Sequence, residues 1–485
     1  MKNNLYFEPV IEAVKIFILV FGSLVSLSPH TVESSVKVFI PEPVLELEIS
    51  RSLGVSPSEI TESLLGEKLK ILELSDSQLR DLRGLEHALN LEILVLRNNL
   101  IEDLSPLSGL KKLKRLDLSG NRISGLKNLE DVSTINSGKS SVTALTHLNL
   151  SGNKLRGLSG INYFSNLLNL NVSKNSLIDL QGISSLKKLL TLNASENQLG
   201  FVESYQDANR NKKYDLGEPF NDVSGNGIRD SDPLSEIHSL TSLTYIQLNG
   251  NLIRKIDSML NLPSSKVLLL SGNQIARIEG LSSFSSLEKL SLNDNFISDI
   301  SGIGKLKNLN FLSMSENRLC DLRELSQLTK LNELHLQYNH VKNGQVLSSL
   351  KNLASLHMSN NLIQDLSFIK DLESIQRVNL RGNSMGRENE LGQTIYDLGL
   401  KNTSISVEDQ KDKNPDLISL VETLYSSSSA NLKFGDFLQL NNYQRFINFI
   451  NTTAFEESLK NDFYRKWNLS LLNNRELSEA GFPEK

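Results

Sequence analysis

One cysteine, Cys320, in 485 residues excludes an internal disulfide framework and leaves the compartment open. Aromatic residues make up only 6% of the chain, and Trp467 is its one tryptophan, so the core cannot be built on rings. Neither sign of charge dominates. The 51 basic and 56 acidic residues leave a net charge of −5, which implies no general affinity for nucleic acid. No apolar run reaches the roughly 18–20 residues of a comfortable membrane span. Signatures of common chemistries are missing as well: there is no GxxxxGK[ST] phosphate loop and no HExxH helix. A non-catalytic protein is the expectation.

What the chain has in abundance is leucine at fixed spacing. Leu113-Lys114-Arg115-Leu116-Asp117-Leu118-Ser119-Gly120-Asn121-Arg122-Ile123 reads LxxLxLxxNxI, and copies begin at Leu145 and Leu287. The asparagine returns at Asn99, Asn121, Asn153, Asn175, Asn197, Asn251, Asn273, Asn295, Asn317, Asn339, Asn361 and Asn383, mostly in steps of 22 residues. A degenerate first copy around Ser77 brings the count to thirteen turns. Such a period is the mark of leucine-rich repeats.

The fold follows from the spacing. Leucines two apart share one face of a strand, and one short unit cannot bury them alone. Stacking the units makes one long core behind a parallel sheet. The expected class is an α/β solenoid: a horseshoe with a parallel concave sheet, a helical N-terminal cap and a small helical C-terminal segment. A 22-residue unit leaves little room for helices on the convex side, so 3₁₀ turns or irregular segments are expected there. Each asparagine is expected to satisfy backbone groups of neighbouring turns.

Five regions are expected. Residues 1–28 form a hydrophobic leader or signal peptide, with the apolar run Ile16 to Leu27 behind Lys15 and cleavage near Ser26 to Ser28. Residues 36–66 form a cap: a short edge strand at Val36 to Ile40, a helix opened by Pro43 and ended by Gly54, and a second helix from Ser58 to Leu65. The array spans 67–386, with inserts near 128–141 and 200–234. The first insert is Ser/Gly-rich and reads as a surface loop on the convex side or rim. Residues 387–485 read as a C-terminal cap followed by a helical tail.

Within the cap, Phe39-Ile40-Pro41-Glu42-Pro43 precedes Leu45, Ile49 and Leu53-Gly54. The turns Leu79-Arg80-Asp81-Leu82-Arg83-Gly84-Leu85 and Ile101-Glu102-Asp103-Leu104-Ser105-Pro106-Leu107 follow. These stretches resemble the internalin family of bacterial surface proteins, over roughly residues 36–386. The resemblance implies a secreted or cell-surface recognition scaffold without catalysis. The SDS-type phosphatase regulators also use 22-residue repeats, and on that alternative the chain is a cytoplasmic regulatory subunit. The apolar leader, the cap and the second insert favour export.

That second insert carries the strongest local chemistry. Asp207, Asn209, Asn211, Asp215 and Glu218 stand at positions 1, 3, 5, 9 and 12 of an EF-hand-like loop, and the Lys213 carbonyl would be the ligand at position 7. Hard oxygen donors at this spacing wrap Ca²⁺, and a glutamate at position 12 can bind through both oxygens. Lys212 departs from the pattern where glycine normally makes the turn. A partial second loop offers Asp222, Ser224, Asn226, the Ile228 carbonyl and Asp230, with Pro233 where the bidentate ligand belongs. The ion's expected role is structural, because an insert poor in large apolar residues cannot fold on burial alone.

The third and fifth positions of LxxLxLxxN face outward from the sheet. In the first half of the array they are polar and rich in amides. In the second half, Tyr245, Leu269, Phe311, His335 and His357 occupy them, and Tyr338 follows close by. Exposed rings on a rigid sheet are typical anchors for a protein partner, and rows of Asn and aromatics suit a glycan equally. His335 and His357 fall on adjacent turns of one lane, but two ligands are too few to predict a Zn²⁺ site. Cys320 beside a core slot has no partners for nucleophilic chemistry.

Overall fold

The structure, a computed structural model, describes residues 36–126, 144–201, 206–207, 218–219, 221, 234–256, 259, 261–384 and 404–406. Its strands are three residues long, which is what the repeat permits. Leu91, Leu94 and Leu96 point inward and are fully buried, while Ile93 between them stays partly open to solvent. The chain then turns away at Asn99. Among the described residues, fourteen such strands form one parallel sheet in strict chain order, from Ile71–Glu73 to Ser404–Ser406. Register never slips: Leu94 lies beside Leu116, and Leu116 beside Leu148. The leucine-rich repeat solenoid expected from the spacing is therefore the observed fold. One hydrophobic cluster runs behind the sheet from Val38 to Leu380.

The convex side is made of short 3₁₀ segments such as Leu85–His87, Ser105–Leu107 and Ile303–Lys305. Phe164, Phe284 and Phe368 fill the space behind leucine-lined turns and are essentially buried.

The asparagine ladder does what the sequence asks of it. Asn121 Oδ1 accepts the Ile101 amide at 3.1 Å, and its Nδ2 donates to the Leu96 and Leu118 carbonyls at 2.9 Å each. Asn339 makes the same three bonds with Leu319, Met314 and Leu336. A curved backbone would otherwise leave these groups buried and unpaired. The residue before the asparagine takes a left-handed conformation, with φ of 68° at Gly120 and 55° at Tyr338.

Neither insert interrupts the ladder. Asn153 reaches Ile123 at 3.0 Å across the first one, and Asn251 reaches Leu199 at 3.1 Å across the second. After the second insert, Glu236 Oε2 accepts the amides of Gly182 and Ser184 at 2.7 and 3.1 Å, anchoring the returning chain to the preceding turn. Residues 128–141 and most of 200–234 lie outside the described residues, as do 1–28 and nearly all of 387–485.

At the other end, the helix Pro43–Leu53 buries Leu45 and Ile49 against the first turn, and Gly54 closes it with φ 70°. The second helix runs Glu62–Lys68 and not from Ser58. The reason is long-range: the Ile60 carbonyl accepts the Val38 amide at 3.1 Å, which holds Ile60 extended. Pro57–Glu59 forms only a 3₁₀ turn before it, and Thr61 Oγ1 then caps the helix by accepting the Leu64 amide at 3.3 Å. The expected edge strand at Val36 to Ile40 contracts to one antiparallel bridge, Lys37 with Thr61. At the C-terminal end, Ser404–Ser406 adds a strand beside Arg377–Asn379, past the point where the repeat pattern fades. No helix among the described residues is long and apolar enough to cross a membrane.

Candidate functional site

The parallel register decides which outward residues meet. Strand residues two apart point to one face, and equivalent residues of adjacent turns stand side by side. Phe311 is beside Glu333, Ser313 beside His335, and His335 beside His357. The rings form a row. Lys289 Nζ lies 4.4 Å from the Phe311 ring centre, Phe311 and His335 are 5.4 Å apart, and His335 stacks on His357 at 4.5 Å with 14° between planes. All three rings are half-buried.

The row is held by polar contacts along each strand. Glu333 Oε1 lies 2.7 Å from His335 Nε2, and Ser355 Oγ lies 3.0 Å from His357 Nε2. Burial of the His357 ring, and next the neighbouring His335, push the His357 pKa below the usual imidazole value, while Glu333 acts in the opposite sense.

The remaining concave-face residues stand apart from this row. Tyr245 is three strands from Phe311, with its hydroxyl donating to Gln247 Oε1 at 3.2 Å. Leu269 is beside Gln247 in the other lane. Tyr338 sits in the exit turn after the His335 strand, half-buried. Glu333, Lys289 and Ser355 complete the row yet are not aromatic, so a search for rings passes over them. Their signal was positional: Glu333 is two residues from His335 on the same strand and must share its face. The polar first half carries an ion pair instead, Arg97 Nε to Asp117 Oδ2 at 2.8 Å, with Ser119 Oγ also donating to Asp117 at 2.7 Å.

Of the calcium-loop residues, Asp207 and Glu218 are described. The amide of Gln206 donates to the Pro219 carbonyl at 2.8 Å, which brings the two ends of the twelve-residue segment together. Asn209, Asn211, Lys213, Asp215, Asp222, Ser224, Asn226, Ile228 and Asp230 lie outside the described residues. Cys320 is exposed.

Comparison with known proteins bears on this architecture. The family model described as leucine-rich repeats (2 copies) matches residues 89–131, 266–305 and 285–327. No curated protein matches the chain. Among solved structures, an internalin (inlF) from Listeria monocytogenes is 24% identical over 74% of this chain and 100% of its own, with a TM-score of 0.53. A leucine-rich repeat protein of Leptospira interrogans is 23% identical over 71% of this chain and 85% of its own, with a TM-score of 0.55. The functional domain of InlJ from Listeria monocytogenes is 20% identical over 72% and 76%, at 0.50. Repeat motif, ordered parallel sheet and structural likeness together make this chain a leucine-rich repeat solenoid.

Proposed function

We propose that this chain is an exported, non-catalytic recognition scaffold that grips a protein partner with the second half of its concave face. The observation that carries the reading is the row Lys289–Phe311–His335–His357 on consecutive strands. Half-buried rings on a rigid sheet offer contact area with little conformational entropy left to lose on binding. The ladder of buried asparagines fixes the backbone beneath them, so the surface is formed before any partner arrives. Calcium in the 200–234 insert fits the same reading. The joined ends at Gln206 and Pro219 set Asp207 and Glu218 at the mouth of a loop, and weak sites fill at the millimolar Ca²⁺ of the cell exterior.

Two measurements test the proposal. The mature N-terminus in the native host is expected near residue 29, outside the cytoplasm. An intact Met1 in the cytosol overturns export and turns the search to intracellular partners such as phosphatases. For the surface, simultaneous alanine at Tyr245, Phe311, His335 and Tyr338 is expected to weaken partner binding by at least about 100-fold. Unchanged binding to each identified partner overturns the concave-face assignment, and binding to glycan arrays alone replaces the protein partner by a saccharide.

A further inference from the structure

We propose that Glu333, His335 and His357 form a binding site for a borderline divalent cation of the zinc class. One ligand atom from each lies within 4.8 Å of the others. The three come from two adjacent strands whose pairing is fixed: Glu333 and His335 on one, His357 directly beside His335 on the next. This is a His₂Glu donor set, two borderline nitrogens and one carboxylate, which matches three-ligand tetrahedral zinc with a fourth position left to water. Hard ions such as Ca²⁺ and Mg²⁺ prefer all-oxygen shells, so the site is chemically distinct from the oxygen-rich insert.

The ligand atoms are close together, and binding an ion requires the side chains to reorient. A tetrahedral site with bonds of ~2.0–2.1 Å separates its ligand atoms by ~3.3 Å. Glu333 Oε1 and His335 Nε2 are already 2.7 Å apart, and the stacked imidazoles must tilt at their side-chain torsions to converge. The His357 Nε2 contact to Ser355 Oγ would open as the nitrogen turns to the ion, and that hydroxyl is then placed to accept from the metal-bound water. Phe311 against His335 limits how far that ring can swing away. None of this depends on the recognition reading, since the chain alone supplies the ligands.

The test uses the tag-free full chain with Ca²⁺ in excess, so that the insert is occupied, and the probes are Zn²⁺ by calorimetry and Co²⁺ by absorption. One Zn²⁺ per chain is expected, with the visible Co²⁺ bands of a tetrahedral site. His335→Gln with His357→Gln is expected to abolish both signals. Glu333→Gln keeps the side chain's shape and is expected to weaken binding by about 10–100-fold, so the test survives even if the double variant misfolds. Absence of Zn²⁺ binding in the wild type overturns the site. So does Zn²⁺ bound equally well by the wild type and Glu333→Gln, with identical Co²⁺ spectra, because the ion then sits elsewhere.

Discussion

Asn251 accepts a hydrogen bond from the Leu199 amide at 3.1 Å although the two are 52 positions apart in sequence. Asn273 accepts from Ile253 at the same distance across only 20. The insert between Asn197 and Asn251 is thus added to the array without being felt by its ladder. Removing either side chain leaves one buried amide unpaired and takes one of two asparagine donors from each of two carbonyls, Ala194 and Leu248 for Asn251, and Leu248 and Leu270 for Asn273. Asn251→Ala and Asn273→Ala are therefore expected to cost the same, about 3 kcal/mol each in urea unfolding. A markedly smaller cost at Asn251 would show that the ladder is loose where the insert joins it.

Tyr338 takes the left-handed conformation with φ 55° at a position where other turns place Gly120, Gly152, Gly272 or Asn98. A bulky ring there is strained, whereas asparagine accepts the conformation readily. Tyr338→Asn is expected to raise stability by about 1 kcal/mol and at the same time to weaken partner binding. Thermal melts and binding titrations on one preparation check both halves. A variant that loses stability would mean the ring contributes more packing than its backbone costs.

The array was legible because its signals are local and repeated. Leu94, Leu116 and Leu148 share one slot, and the asparagine three residues after the last leucine of each strand recurs with them. The concave rings were legible for the same reason, since their lanes follow from a period of two. Local signals failed where distant residues intervene. Helical propensity at Ser58 loses to the pairing of Ile60 with Val38, and Ser404–Ser406 joins the sheet without the leucines that mark the other strands. Glu333 needed both periods at once, along its strand to His335 and across to His357.

Calcium offers a separate handle. If the segment from Asp207 to Glu218 wraps an ion, then about 2 mM Ca²⁺ stabilises the folded chain by about 1 kcal/mol for a site of extracellular affinity. Asp207→Asn with Glu218→Gln removes two charged ligands and is expected to abolish the shift between the two conditions. Melting curves in Ca²⁺ and in chelator decide the matter. Identical curves for the wild type would remove calcium from the account of the insert.

His147 gives the array a dependence on pH. Burial of its ring, and next the charge of Arg115, hold its pKa below the ordinary value of 6.5. Its Nδ1 lies 2.9 Å from Thr146 Oγ1. The folded state therefore binds this proton less readily than the unfolded chain. The associated stability is complete above the unfolded value and is lost as pH falls through it towards the folded one. His147→Gln keeps a hydrogen-bonding side chain and removes the titration. Between about pH 7.5 and about pH 5.5 the wild type is expected to lose more stability than the variant. His357 is likewise held low, first by burial and next by the neighbouring His335. The informative quantity is thus the difference between the two proteins, measured by urea unfolding at each pH. A difference that does not change with pH would mean that His147 takes up its proton as easily on the concave face as in the unfolded chain.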